Sequence, residues 1–192
     1  ALDSACVPAR LAELIAAPGH ETEIVLTALG HVALRAVSGV PGGHDIDPAS
    51  SETTAPRLGL VRPGSLQSLR WDAVDRRAPN DDEVEIEIAA AGLNFRDVMW
   101  AMGMLPAEAL EDGFAGPTVG FECSGTVVRK GPRVSHLAVG DRVFALAPAA
   151  LASHVTVAAA AVGHVPKTVD LAAAATVPVA FLTAHYALNR LR

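Results

Sequence analysis

The pattern of apolar and polar positions becomes regular beyond residue 57. From there, short apolar runs recur at intervals of about ten residues and are closed by Gly, Pro or Asp, which is typical of a β-sandwich or barrel. This part of the chain is therefore expected to fold mainly as β-sheet. The predicted strands cover residues 58–62, 69–74, 83–91, 125–129, 142–147 and 154–157.

The clearest predicted strand has the sequence EVEIEIA over residues 83–89. Its strict alternation places Val84, Ile86 and Ile88 on one buried face, because successive side chains of a strand point to opposite sides. The same alternation predicts that the glutamates between them lie in water.

An alanine-rich segment near the end of the chain predicts a helix from Leu171, with Asp170 as a suitable N-cap residue. Pro178 is expected to end or kink this helix before another helix begins near Phe181. Residues 171–188 are long enough to span a membrane. Their proline, histidine and threonines weaken insertion, so we expect no membrane span.

The first 56 residues have a different pattern. Residues 8–17 have helical spacing, and residues 24–34 predict a hairpin whose turn contains Gly30. The following stretch up to residue 56 is rich in Gly, Pro, Ser and Asp and has no periodicity. Such a composition buries too little apolar area to offset the entropy of ordering, and it predicts a linker.

Composition excludes several classes of protein. The 192 residues are 51% hydrophobic and carry a formal net charge of -6. Without a basic stripe to neutralise phosphates, a nucleic acid partner is not expected. Cys6 and Cys123 lie far apart and form no CxxC motif, so neither a disulfide framework nor a metal site is indicated. A reducing, cytoplasmic location fits this usage best.

The most unusual local sequence follows the clearest strand, where Gly92 precedes the polar run that opens a predicted helix over residues 94–103. One interpretation makes Asn94 a helix N-cap, with Arg96 and Asp97 in a solvated first turn. The other makes the run a binding site. The residues alone favour the capping interpretation, because capping requires only the Asn side chain.

Three ordered motifs identify a resemblance. They are AAGLNFRDVMWAMGMLP, then VGFECSGTVVRKGPRVSHLAVGDRVFALAP, then ATVPVAFLTAHYAL. Together they resemble the enoyl reductase domain of type I polyketide synthases and, more distantly, that of animal-type fatty acid synthases. These domains belong to the medium-chain dehydrogenase/reductase group, whose substrate lobe is a GroES-like, partly open β-barrel with short helices. A Rossmann lobe that binds NADPH follows it.

The resemblance implies a division of the chain into three parts. Residues 1–40 would be the end of a preceding, ketoreductase-like structural module, and residues 41–56 a linker. Residues 57–192 would be the GroES-like substrate lobe, ending in the hinge helix.

The zinc alcohol dehydrogenases of the same group provide a test for a metal site. The resemblance places Asn94, Phe121 and Val179 at the positions of their three catalytic zinc ligands. Phe and Val side chains offer no lone pair, and an Asn alone cannot hold Zn²⁺, so no metal site is expected. Cys123, two positions beyond Phe121, is expected to be a small buried residue.

The resemblance also implies a reaction, the NADPH-dependent reduction of an enoyl thioester carried by an acyl carrier protein. The first part of the predicted helix would line the cleft beside the nicotinamide, and the hinge helix would contact its ring. The expected cofactor contacts are Asn94, Phe95, Arg96 and Thr183, and the expected substrate contacts are Met102 and Leu105.

No catalytic acid is assigned. Many modular polyketide reductases have a tyrosine where this chain has Leu105, and a leucine cannot donate a proton. Asp97 is expected to have a structural role, bonding to backbone or to Arg96. The role of Glu122, which matches a glutamate behind the zinc of the metal-dependent relatives, stays open.

No GxGxxG motif follows a predicted strand. We therefore expect most NADPH contacts to come from a Rossmann lobe that begins after Arg192, and this chain, which starts at Ala1, to be an excised piece without activity of its own. Its expected partners are the carrier-bound thioester, other modules of the same synthase and a second copy in a homodimer. The alternatives are a zinc-free quinone oxidoreductase-type enzyme and a non-catalytic GroES-like binding module.

Overall fold

The computed structural model describes residues 24–27, 30–33, 51–111 and 113–191, and the chain divides into two compact units, Ala1–Asp45 and Ile46–Arg192. In the first unit, strands β1 (Ile24–Thr27) and β2 (Gly30–Ala33) pair antiparallel, with Thr27 opposite Gly30. The predicted hairpin is confirmed. Gly30, however, is the first residue of β2 and not part of the turn. The predicted helix over residues 8–17 lies outside the described residues.

The second unit is built mainly of antiparallel strands in two sheets. One sheet has two strands, and the other has five strands in the order β8-β5-β6-β7-β9. The mainly β architecture is confirmed, but the two sheets do not close into a barrel. The strands are β3 (Thr54–Leu60), β4 (Leu69–Asp75), β5 (Glu83–Gly92), β6 (Glu122–Lys130), β7 (Arg142–Leu146), β8 (His154–Ala158) and β9 (Val162–His164).

Short helices fill the connections. They are α1 (Phe95–Ala101), α2 (Ala107–Glu111), α3 (Leu171–Ala174), α4 (Val177–Arg190) and the 3₁₀ turns Leu66–Ser68 and Ala159–Ala161. In the described ranges, none of the helices combines the length and apolar character needed to cross a bilayer.

The chain around Pro178 forms two helices, as predicted, but the second begins at Val177, before the proline, and not near Phe181. Asp170 caps α3 as expected, since its Oδ1 accepts a hydrogen bond from the Ala173 N–H at 2.7 Å. Pro178 does not interrupt a helix, because it lies in the first turn of α4, which continues through Phe181. A proline in a first turn removes no helical hydrogen bond, so the position is compatible with an intact helix.

The strands differ from the prediction mainly at the starts of β3 and β6, the latter at Glu122 rather than residue 125, and in the presence of β9. β3 begins at Thr54, inside the predicted linker, and Ala55 is already buried there. β9 was not predicted, because its three residues are too few to show an alternation. Gly163 in β9 lies against the ring of Phe144, where a Cβ would come within 2.5 Å of the Phe144 Cζ atom.

The core lies on one face of the five-stranded sheet. Val84 and Ile86 of β5 pack there with Cys123 and Val127 of β6 and with Val143 of β7. Cys123 is fully buried, as predicted. Burial, and then the charge of Glu122, raise the pKa of its thiol to about 12. The thiol is therefore protonated and unreactive at neutral pH.

The prediction that the β5 glutamates lie in water is wrong for Glu85, which is only 1% exposed. Arg76, just after β4, and Arg129, in β6, each donate two hydrogen bonds to its carboxylate. Burial raises the pKa of Glu85, but the hydrogen bonds from Arg129 and Arg76 outweigh it and lower the pKa to about 2. The alternation of the sequence could not reveal this, because both arginines come from other segments. The buried ion pair ties the β3–β4 sheet to β5 and β6.

We predict that Glu85→Gln lowers the free energy of unfolding by about 3 kcal/mol at pH 7, because it leaves two guanidinium groups facing a neutral amide. Since the folded pKa of Glu85 is below its ordinary value, its contribution is complete above pH 4.5 and is lost as the pH falls toward 2. The difference between wild type and variant in urea unfolding should shrink over that interval. Glu87→Gln, at the next exposed position of β5, is the matched control and should change stability by less than about 0.5 kcal/mol.

Candidate functional site

The loop that leaves β5 is organised by Asp97. Asn94 is the N-cap residue of α1 and forms a capping box with Asp97, whose Oδ2 accepts a hydrogen bond from the Asn94 N–H at 3.0 Å. The other oxygen, Oδ1, accepts one from the Gly120 N–H at 2.9 Å. Asp97 is only 1% exposed. Its expected structural role is confirmed, since it bonds to backbone on both sides. Asn94 is the N-cap residue, as the capping interpretation predicted, but the predicted solvation of the first turn is wrong, because Asp97 is buried and the Arg96 side chain is only 17% exposed.

Glu122, the first residue of β6, joins this loop to α4. Its Oε1 accepts a hydrogen bond from Asn94 Nδ2 at 2.9 Å, and its Oε2 accepts one from the Val179 N–H at 2.8 Å. The residue is 5% exposed. Gly92 makes room for it, because a Cβ at that position would lie 2.5 Å from Oε1. One buried carboxylate therefore connects the end of β5, the start of β6 and the start of α4.

Glu122 also supplies the anion at the N-terminus of α4. The N-cap residue of that helix, Thr176, makes no capping bond with its side chain, and its hydroxyl donates to the Ala173 carbonyl. The first N–H groups of a helix have no partner inside the helix and favour a negative charge. Here the acceptor for the Val179 N–H comes from a strand rather than from the preceding residues.

Arg96 holds the chain segment that enters β6. Its guanidinium donates to the carbonyl oxygens of Gly116 and Thr118 and lies 4.9 Å from the centre of the Phe121 ring. The Arg96 side chain is 17% exposed. Because two of its guanidinium nitrogens donate hydrogen bonds within the protein, Arg96 fixes the segment from Gly116 to Phe121.

The residues expected to contact ligands differ in their surroundings. Phe95, Met102 and Val98 are exposed and recur along α1 at the spacing of one helix side. Leu105 is half-buried just beyond the helix. Thr183 is exposed on α4, one turn after Val179 and on the same side of that helix.

The three positions that the resemblance compares with zinc ligands do come together. Asn94 and Val179 bond to the two oxygens of Glu122, and Phe121 is the chain neighbour of Glu122. The side chains of Phe121 and Val179 have no donor atom for a metal. Within the described ranges, no group of three or more His, Cys, Asp or Glu residues is arranged to hold a metal ion.

A polar cavity of about 270 Å³ beside the β3–β4 sheet was not predicted from the sequence. Glu85 and Arg76 line it together with His154. Burial, and then the charge of Arg76, lower the pKa of His154, whose Nδ1 lies 3.0 Å from the Ser153 hydroxyl oxygen. Of the polar side chains that line the cavity, Arg76 and Glu85 pair with each other, and Arg77 pairs with Glu83 outside it.

Comparison with known proteins identifies relatives of this lobe. The family model for the alcohol dehydrogenase GroES-like domain matches residues 80–180. A phenolphthiocerol/phthiocerol polyketide synthase of Mycobacterium tuberculosis is 40% identical over 144 residues, which are 75% of this chain and 6% of that protein. The pikromycin polyketide synthase component PikAII of Streptomyces venezuelae is 43% identical over 145 residues, 71% of this chain and 4% of that protein.

Solved structures agree with this assignment of the fold. The CurK enoyl reductase matches with a TM-score of 0.64 and 39% identity over 69% of this chain and 41% of that chain. A mycobacterial quinone oxidoreductase matches with a TM-score of 0.58 and 32% identity, covering 71% and 41%. A mycobacterial protein complexed with NADPH matches with a TM-score of 0.59 and 30% identity, also covering 71% and 41%. The chain thus spans under half of these structures and a small part of the curated relatives.

We predict that Asp97→Asn lowers the free energy of unfolding by about 2 kcal/mol, because the new NH₂ group must face either the Asn94 N–H or the Gly120 N–H. Asp75→Asn makes the same chemical change at an exposed position of β4 and should be nearly neutral. Urea unfolding of both variants measures the difference. Equal stability of the two variants would show that the buried carboxylate does not organise the loop.

Proposed function

This chain belongs to the alcohol dehydrogenase GroES-like domain family, and from that premise we propose that it is the substrate-binding lobe of an NADPH-dependent enoyl reductase in a polyketide synthase. Its similarity to polyketide synthases and to the CurK enoyl reductase confirms the resemblance inferred from the motifs. One observation carries the proposal: Glu122 bonds both to Asn94, just before α1, and to the first turn of α4, and α1 has an exposed apolar side.

The proposed reaction adds a hydride to the β-carbon of an enoyl thioester and a proton to its α-carbon, so that the double bond becomes a single bond. NADPH, when bound, supplies the hydride and becomes NADP⁺. The lobe described here has to bind the acyl chain, present it to the nicotinamide and exclude water from the reacting carbons. No side chain of the lobe is assigned as the proton donor, and water or the second lobe supplies that proton in this proposal.

The described residues fit a nicotinamide at two positions. The ring of Phe95 is 74% exposed and offers an apolar face next to Asn94. The hydroxyl of Thr183 is exposed on the side of α4 that bonds to Glu122. The polar groups of Asn94 and Arg96 are bound within the lobe, so these two residues would act mainly by holding Phe95 and its loop in place.

The exposed side of α1 suits an acyl chain. Phe95, Val98 and the C-cap residue Met102 are exposed apolar side chains at the spacing of one helix side, which we call the apolar stripe of α1, and the half-buried Leu105 follows three residues later. Binding sites for apolar ligands are lined mostly by such side chains, with few polar groups. We propose that Met102 and Leu105 contact the chain of the substrate.

The larger assembly follows from the same premise. A second, Rossmann-type lobe would bind most of NADPH. Residues 1–40 would be the end of a preceding module, and a linker would run from residue 41 to the start of β3 at Thr54. The substrate would arrive as a thioester on an acyl carrier protein, within a cytoplasmic synthase that forms a homodimer. The similarity to a small part of two polyketide synthases supports a place within such a synthase.

A zinc-free quinone oxidoreductase is the second candidate, because a mycobacterial quinone oxidoreductase shares 32% identity and the same fold. The two candidates differ in substrate. An enoyl reductase needs an extended apolar surface for an acyl chain, whereas a quinone needs only a flat pocket. The apolar stripe of α1 favours the enoyl reductase.

We predict that the complete enzyme oxidises NADPH with a crotonyl thioester of pantetheine, measured by the loss of absorbance of NADPH. The isolated lobe should show no turnover, because it lacks the surface that binds most of the cofactor. Benzoquinone in place of the thioester distinguishes the second candidate. Turnover of quinone without turnover of the thioester would reject the proposal.

We predict that Thr183→Val in the complete enzyme raises the KM for NADPH about five- to tenfold, the effect of losing one hydrogen bond. Thr168→Val, at an exposed position before α3, makes the same change away from the proposed cleft and should leave the KM unchanged. Steady-state kinetics with varied NADPH measure both. An unchanged KM in Thr183→Val would remove Thr183 from the cofactor site.

A further inference from the structure

We infer that Glu122 is a positioning residue for the nicotinamide end of the cofactor, because its two carboxylate oxygens set the relative positions of Phe95 and Thr183. This inference rests on the proposed function. Both oxygens of the buried Glu122 carboxylate bond to neutral donors within the lobe, so the inference concerns a residue that would act on the cofactor only through its neighbours.

The two hydrogen bonds of Glu122 lie directly beside the two proposed cofactor contacts. Oε1 holds Asn94, the residue before Phe95, and Oε2 holds Val179, which is one helical turn before Thr183. Each proposed contact is thus next to a residue fixed by the same carboxylate. A shift of Glu122 would move the two contacts relative to each other.

The direction of these hydrogen bonds is also fixed. Both partners of Glu122 are donors, so only a group with two acceptor oxygens satisfies them. The Asn94 side chain faces the Asp97 N–H in the capping box, although that N–H makes its hydrogen bond to the Asn94 backbone carbonyl at 2.9 Å, so a turned carboxamide would place its NH₂ group against an N–H. Its Nδ2 must therefore point to residue 122.

The carboxylate of Glu122 has little room to move. The residue is 5% exposed, and its carboxylate packs so closely on Gly92 that a Cβ there would lie 2.5 Å from Oε1. Both hydrogen bonds are part-buried, so a donor that loses its Glu122 acceptor pays at least part of the cost of desolvation. A mispaired group at residue 122 is therefore expected to displace the Asn94 loop or the start of α4.

The test exchanges the two hydrogen-bonding groups. In Glu122→Gln, the amide oxygen can accept from Val179, but its NH₂ group then faces the NH₂ of Asn94. When Asn94→Asp is combined with Glu122→Gln, the new carboxylate at position 94 accepts from the new amide at position 122 and also faces the Asp97 N–H. The double variant has the same net charge as wild type. Each of the two hydrogen bonds of residue 122 again joins a donor to an acceptor, and only the bond between residues 94 and 122 has its direction reversed.

We expect Glu122→Gln in the complete enzyme to weaken NADPH binding about tenfold, measured as Kd by the fluorescence of the bound cofactor. The KM for the crotonyl thioester should change by less than about threefold, since the proposed substrate contacts Met102 and Leu105 lie at and beyond the end of α1 opposite Asn94. Asn94→Asp alone, with two carboxylates facing each other, should be at least as impaired as Glu122→Gln. The double variant should return the Kd to within about threefold of wild type.

Two controls separate positioning from stability. Glu85→Gln breaks the buried ion pair of Glu85 with Arg76 and Arg129, at the end of β5 away from the Asn94 loop. It should lower the unfolding temperature without changing the Kd for NADPH. Glu87→Gln makes the same change at an exposed site and should alter neither quantity. A Kd that follows the unfolding temperature across all variants would show that Glu122 is only structural.

The outcomes distinguish this inference from the proposed function. If wild-type enzyme neither binds NADPH nor reduces the thioester, the proposed function is wrong. If wild type does both and Glu122→Gln binds NADPH equally well, only the role of Glu122 is rejected. Failure of the double variant to bind more tightly than Glu122→Gln would also reject it, because the exchange restores the hydrogen-bonding pattern.

Discussion

The proposed site depends on a physical constraint, the need of a buried carboxylate for a hydrogen-bond donor at each oxygen. Glu122 meets it with the Asn94 carboxamide and the Val179 N–H, and Asp97 meets it with the N–H groups of Asn94 and Gly120. These donors are fixed by the backbone or by a capped helix, so the carboxylates have one favourable position each. The hydrogen bonds of Glu122 and Asp97 therefore determine the geometry of the loop after β5.

The buried carboxylate of Glu85 is also fully hydrogen-bonded, but its donors are charged, whereas those of Glu122 are neutral. Its partners are two arginines, which compensate the charge itself, and the resulting group is a stable link between β4, β5 and β6. Arginine partners at Glu122 would fill the space between the Asn94 loop and α4 with long cationic side chains. Neutral donors leave the exposed surface of Phe95 and Thr183 open. The fold thus uses ion pairing at a distance from the proposed cleft and hydrogen bonding beside it.

Sequence patterns predicted those parts of the fold that depend on local chemistry. The alternation in β5, the cap at Asp170 and the capping residue Asn94 were all recognised, because each signal lies within a few adjacent residues. The same local view misjudged Glu85, which an alternating pattern places in water, and Pro178, whose effect depends on where its helix begins. The partners of Glu85 and Glu122 come from segments up to 57 residues away along the chain, and no local pattern contains them. The family resemblance pointed to Glu122 but could not assign its bonds.

A metal ion and a carboxylate organise a cleft by different physics. A metal orients its ligands through short coordination bonds and carries a positive charge to the substrate. A carboxylate at this position attracts N–H groups, and it places a negative charge at the start of α4, where the helix favours one. Such a centre can fix positions, but it cannot polarise a carbonyl group as a Lewis acid does. If the lobe acts as we propose, the carbonyl oxygen of the enoyl thioester must therefore be activated by hydrogen-bond donors other than the groups bound to Glu122. In this proposal those donors lie across the cleft from the exposed residues of α1 and α4.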